Sequence, residues 1–334
     1  MDNFKKASDR KLINDLERAA LSMEPKIREA FLLMIAAIQS TVDLKALLAA
    51  VEARDVRAIT NIVTEKAFTG AVKLYAETFQ AAVQTGAAVV IDNLPFLPDE
   101  SGNAISVRFN VTNPRTASFL NDYKFNKIRE ISLDVQETIR QVAADGILSG
   151  SNPIETARNI RSSIGLTESQ ERAVRNYRRS LEQLDTDALA RRLRDKRYDP
   201  TVARAIKEGK KLTQERIDAM VQRYREKYLK YRAEVIAKTE SIRAIQAGQQ
   251  LIWQQMVDEG DVPEKKVRRK WITSGDLKVR NSHFQIPLMN KDGVGLNEPF
   301  KSPLGDIMFP GDPSARAANT INCRCTLVTR LETE

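Results

Sequence analysis

From about residue 213 to 258 the sequence keeps one helical period without a break. Val235, Ile236, Thr239, Ile242, Ile245, Gln249, Ile252 and Met256 recur near every 3.5 residues, which draws a single apolar face along a helix far longer than the globular average. Such a helix cannot bury that face alone. Other helices must lie along it, so the chain is constrained to a mostly helical architecture with this element as its packing spine. Thr239 and Gly248 fall on or beside the face, where small residues admit a close neighbour. Glu234 with Lys238, and Glu240 with Arg243, stand at helical pair spacing.

The texture upstream is helical too. Leu12, Ile13, Leu16, Ala19, Ala20 and Met23 share one face, and Phe31, Leu32, Met34, Ile35 and Ile38 continue it. Pro25 and Asp43 mark expected restarts, with Asp43 as an N-cap. The pattern breaks at Gly86, a loop is expected from Asn93 through Asp99 to Gly102, and Ile105 to Val111 alternates apolar with polar as a half-buried strand does. Asn152-Pro153 with Glu155, and the capping box Thr167 to Gln170, predict two helix starts, while Gly146, Gly150 and Gly165 predict stops.

After Gly260 and Pro263 the sequence turns to short strands and loops rich in Gly, Pro, Asn and Asp. The expected fold class is mostly α with a small α+β C-terminal module and an elongated multi-helix N-terminal part. Three segments follow: 1–112, helical with a short strand segment at about 88–111; 113–260, helical and ending in the long amphipathic helix; and 261–334, the α+β module.

The 334 residues exceed the usual single-core size, and 42% hydrophobic with 29% charged residues is a globular balance. Net charge is +9, which suits a polyanionic partner or a solvated basic surface. Cations cluster at Arg191 to Arg197, at Arg223 to Arg232, and at Lys265, Lys266, Arg268, Arg269 and Lys270 leading into Trp271. The last group, with its aromatic neighbour, is the expected DNA contact, and the arginines of 191 to 232 are expected to face a polyanion as well; without a recognition motif such binding would be sequence-neutral. No apolar run is long enough to cross a bilayer and no secretory signal follows Met1, so a cytoplasmic origin and no membrane partner are expected.

The only histidine, His283, and both cysteines, Cys323 and Cys325, lie in the last seventy residues or so. With Asp276 they form a candidate zinc set, although Cys-x-Cys spacing is unusual for zinc. The alternative is two small buried thiols and a hydrogen-bonded imidazole. Asp276, Arg280 and His283 could also support acid–base chemistry, but no matched nucleophile or Gly-rich phosphate loop accompanies them, so no enzyme is expected.

Several motifs together resemble the phage Mu F-like minor head (head morphogenesis) protein family. They are Asn113-Pro114, Gly165 to Gln170 followed by Ala173 to Tyr177, Ala233 to Arg243, Trp271 to His283 with Asp276 and Arg280, and Asn322-Cys323-Arg324-Cys325. The resemblance covers about residues 113 to 328. It implies a minor structural component of a tailed-phage or prophage head, assembled in the host cytoplasm and located in the virion, in the head interior or at the portal vertex. Expected partners are the portal protein, double-stranded DNA, and scaffold or major capsid protein. A DNA-binding protein ejected with the genome and a metal-dependent enzyme using Asp276 and His283 are the alternatives. Some relatives carry an effector domain after this module; none is expected after Glu334.

Overall fold

Helix dominates the computed structural model, which describes residues 2–62, 65–98 and 101–332. The helices are α1 (Asp2–Ser40), α2 (Leu44–Glu52), α3 (Val56–Asn61), α4 (Glu65–Ile91), α5 (Pro114–Leu148), α6 (Pro153–Ser163), α7 (Glu168–Glu182), α8 (Asp187–Ala190), α9 (Asp199–Glu208) and the long α10 (Gln214–Asp258). The C-terminal module follows as β1 (Val267–Ile272), α11 (Asn281–Met289), β2 (Val294–Gly295), α12 (Ala317–Thr320) and β3 (Thr326–Leu331). Its three strands form one antiparallel sheet in the order β2-β1-β3, with Trp271 opposite Leu327 and Arg268 opposite Gly295. The fold is therefore mostly α with a small C-terminal α+β module. No single helix among the described residues is long and apolar enough to cross a membrane.

The chain divides into two discontinuous units rather than three consecutive segments. One comprises Met1–Phe31, Leu74–Phe125 and Glu234–Glu334; the other comprises Leu32–Lys73 and Asn126–Ala233. The expected boundaries near 112 and 260 therefore do not describe the fold. The physical reason lies in the apolar stripe of α10. Ile245 is covered by Leu16, Ala19 and Ala20 of α1, and Ile252, Trp253 and Met256 by Ala87 and Val90 of α4. Elements far apart in sequence thus share a core with the second part of α10.

Close approach makes two of the small residues indispensable. A Cβ on Gly86 would stand 2.2 Å from the Ile245 carbonyl oxygen, and one on Gly248 would stand 2.0 Å from that of Val83. Gly86 therefore lies inside α4, where backbone meets backbone, and does not break it. Pro25 likewise sits inside α1. The buried residues Met23, Ile27, Ala30 and Phe31 continue the face on both sides of it, so packing overrides the proline signal.

Among the described residues, the expected strand segment at about 88–111 does not form: 88–91 belong to α4, and Ile105 to Val111 pairs with no strand. Residues 105–110 are irregular and their Val107 and Phe109 pack against the α10 core. Gln255 takes the place of a partner strand, accepting from the Asn110 amide at 2.9 Å and donating to the Arg108 carbonyl at 2.8 Å. Of the loop before it, Asp99 lies outside the described residues. Three other helix signals agree with the structure: Asp43 caps α2, Asn152 caps α6, and the Thr167–Gln170 box opens α7; Gly146 does not stop α5 but lies inside it, where a Cβ would stand 2.5 Å from Thr156 Cγ2.

In the second unit, Leu166, Val174, Tyr177, Leu181, Val202, Ile217, Met220, Val221 and Tyr224 form the core. A buried ion pair lies among these helices: Arg225 donates to both carboxylate oxygens of Glu171, at 2.7 and 3.2 Å.

Candidate metal centre

The module is anchored on α10 through polar side chains on a face that the sequence pattern reads as apolar. Gln246 accepts from the Leu327 amide at 3.2 Å and donates to Thr326 Oγ1 at 2.7 Å; Gln249 donates to the Leu327 carbonyl at 3.2 Å. These bonds satisfy both backbone groups of Leu327 and hold the start of β3 on α10. Glu240 and Arg243 add a second anchor. The buried Glu240 carboxylate accepts from Arg243 at 2.6 Å and from the Tyr123 hydroxyl at 2.7 Å, while Arg243 Nε donates to the Gly311 carbonyl at 2.6 Å. Gly311, at φ +85°, lies where a Cβ would stand 2.9 Å from Arg243 Cα, so the Pro310 to Pro313 turn needs glycine there.

Fixing β3 and this turn brings the rare residues together. Cys323 and Cys325 lie just before β3, and His283 lies in the first turn of α11. All three are buried, at 3%, 2% and 1% exposure. His283 Nδ1 lies 3.6 Å from Cys323 Sγ and 3.4 Å from Cys325 Sγ. The three donor atoms all fall within 4.8 Å of one another, so this cluster could hold a metal ion. With zinc–sulfur bonds of about 2.3 Å and zinc–nitrogen bonds of about 2.0–2.1 Å, tetrahedral angles set nitrogen–sulfur separations of about 3.6 Å. The observed separations match that edge length.

Asn319 orients the imidazole. Its Nε2 stands 3.2 Å from Asn319 Oδ1, and the Asn319 amide group donates in turn to Ser302 Oγ at 3.2 Å and to the Gly305 carbonyl at 3.4 Å. With its amide so oriented, Asn319 accepts the Nε2 proton and leaves the Nδ1 lone pair facing the sulfurs, as metal-binding histidines require. Trp271 packs edge-on against the imidazole, with centroids 5.6 Å apart.

The thiols are inequivalent. The Cys325 thiol donates toward Cys323 and holds it below the ordinary thiol value; the nearby cations Arg280 and Arg324 act in the same direction. The same bond, together with burial, pushes the Cys325 thiol up, against the opposing pull of His283. Cys323 is thus the first to become a thiolate, and a cation between the sulfurs would lower both.

Asp276 is not part of this set. Its carboxylate accepts from the Lys278 amide at 2.9 Å and pairs with Arg324, and it is half-exposed. The short turn it caps spends its oxygens locally, so neither metal ligation nor an Asp276–His283 acid–base pair is formed. Arg280 donates to the Ile321 carbonyl and fastens α11 to the loop that carries the cysteines.

The residues expected to contact DNA are split by the strand period of two. Val267, Arg269 and Trp271 face inward; Lys265 and Lys270 are exposed, with Lys266 and Arg268 half-exposed. Arg269 is fully buried and Trp271 is 3% exposed, so neither side chain is placed to touch a nucleic acid. The Arg269 guanidinium donates to the carbonyls of Gly295 at 3.0 Å and Met308 at 2.7 Å, to Gln250 Oε1 at 2.8 Å, and to the Glu298 carbonyl. Burial lowers its pKa to about 10, which leaves it charged at neutral pH. Sequence reasoning missed both this role and Asn319. An arginine inside a cation run carries no mark of its face until the strand register is known, and the asparagine, four positions before Cys323, belongs to no pattern.

Comparison with protein-family models, with curated proteins and with solved structures finds no match to the chain.

Proposed function

We propose that the chain is a minor structural protein of a tailed-phage or prophage head, at the portal vertex and in contact with packaged double-stranded DNA. We further propose that its C-terminal module is stapled by one zinc ion held by Cys323, Cys325 and His283. The head assignment rests on the motif resemblance over about residues 113 to 328, and burial of the motif residues is the observation that carries the staple. Glu240, Arg243, His283, Cys323 and Cys325 spend their polar atoms on one another and on neighbouring groups of the same unit. Such a set holds a module together.

Zinc sites with three protein ligands are usually catalytic and those with four structural. Burial favours the structural role here, because donors at 1–3% exposure present no face to a substrate. Bound zinc would supply a cross-link between α11 and the strand that follows the cysteines. His283 would contribute Nδ1, Asn319 would hold the ring, and the two thiols would give up their protons.

Purified particles of the phage or prophage that encodes the chain test the head assignment. Quantitative mass spectrometry is expected to find it in DNA-filled heads at few copies, comparable to the portal protein. Its absence from heads overturns the reading. Release together with the DNA on ejection would instead favour the ejected-protein alternative.

A further inference from the structure

The two basic clusters of the middle of the chain, separate in sequence, lie on one surface. Residues 185 to 232 hold fifteen Lys and Arg against eight Asp and Glu, a net of +7 out of the chain's +9. On α10, Arg216, Arg223, Lys227 and Lys230 stand at i, i+7, i+11 and i+14, which places them on one face within about 60° and over about 21 Å of helix. The other cluster is tied to that face. Lys227 Nζ donates to the Arg194 carbonyl at 3.0 Å, and the Arg192 guanidinium lies 5.3 Å from the centre of the Tyr231 ring. Two local pairs set the loop between: Arg194 with Asp199 at 2.8 Å and Arg197 with Asp195 at 2.6 Å. Among the described residues, Arg192, Lys196, Arg216 and Lys230 are exposed and form no ion pair.

We infer that this face, built on Arg192, Lys196, Arg216, Lys227 and Lys230, is the surface that grips the phosphate backbone of double-stranded DNA. The surface chemistry selects that partner. Tyr231 is the one large apolar or aromatic side chain exposed between residues 155 and 276 among the described residues. Insertion into a lipid surface needs an apolar face, and a tight protein interface needs buried apolar anchors; this face offers neither. A cation stripe of about 21 Å spans roughly six base-pair steps of a duplex, and phosphate contacts need charge alone. Of the two basic regions expected to face a polyanion, this one forms a continuous exposed face, whereas Lys265 to Trp271 is divided by the strand register.

This inference rests on the proposed head function only for its choice of duplex DNA. The test uses the full chain and a fluorescent random-sequence 30-base-pair duplex, titrated from about 50 to 200 mM salt. Lys196→Ala/Arg216→Ala/Lys230→Ala is expected to weaken binding at least tenfold at the upper salt and to flatten the log–log salt slope by about 2 to 3, at roughly 0.9 per lost phosphate contact. The replacement Lys196→Arg/Arg216→Lys/Lys230→Arg should retain binding, and Lys265→Ala/Lys270→Ala should change it less than twofold. Circular dichroism checks that each variant keeps its helix content.

Equal losses in the two alanine variants, or no loss in the first, overturn the inference. So does competition by polyglutamate, or by vesicles containing phosphatidylserine, as effective as competition by unlabelled duplex. Particle mass spectrometry is independent of this assay: a chain found in heads whose 196/216/230 variant binds DNA normally would retire the surface and leave the head assignment standing.

Discussion

The two units use charge in opposite ways. Around the sheet, cations and amides are turned inward: Arg269 fills a pocket of carbonyls, Arg243 bridges Glu240 and Gly311, and Gln246, Gln249 and Gln250 bind strand and loop backbone. The helical unit has a tyrosine- and leucine-rich core with the buried Arg225–Glu171 pair, and wears most of its cations on its surface. A cluster of lysines and arginines therefore has no meaning by itself. On a strand, every second member can be a structural element; on one face of a long helix, they form a single exposed stripe.

Arg269→Ala should give the largest stability effect, about 3–5 kcal/mol, because it leaves several buried carbonyls without donors. Both tryptophans, Trp253 and Trp271, lie in the unit that contains Arg269. Urea unfolding followed by their fluorescence reports that unit directly. A loss below 1 kcal/mol would mean that the inward-facing charge contributes little, and the contrast between the units would weaken.

Glu240→Gln should follow, at about 3 kcal/mol, since Arg243 would remain buried without its counter-charge while Tyr123 keeps an acceptor. Pairing it with Arg243→Met in a double-mutant cycle sharpens the point: a coupling near zero would show that the two side chains act separately. Gly248→Ala comes next, at about 2 kcal/mol, because its new Cβ meets the Val83 carbonyl and one helix must shift. Retained stability there would show that the α4–α10 crossing opens without cost. Smallest of all, Lys265→Ala/Lys270→Ala should change stability by less than about 0.5 kcal/mol, as exposed charges do. A larger loss would place those lysines among the structural cations.

Much of the helical framework was legible in the sequence because capping and apolar periodicity are local signals. The run of α10, the Thr167–Gln170 box, and the caps at Asp43 and Asn152 are of this kind. The failures share one cause: the deciding partner lies far away in sequence. Gly86 reads as a breaker until Ile245 is beside it, and the alternation of Ile105 to Val111 reads as a strand until Gln255 supplies the hydrogen bonds. At the candidate centre, residue rarity alone pointed to His283, Cys323 and Cys325. The exclusion of Asp276 and the inclusion of Asn319 depend on how α11 and the loop before β3 approach each other.

Metal content of the purified full chain tests the staple most directly. Elemental analysis by mass spectrometry after extensive dialysis is expected to find close to one zinc per chain in the unaltered protein and none in His283→Ala, with the tryptophan fluorescence transition of the variant shifted to lower urea. A metal-free protein with the same transition as His283→Ala would contradict the account and leave His283, Cys323 and Cys325 as a hydrogen-bonded cluster of the core.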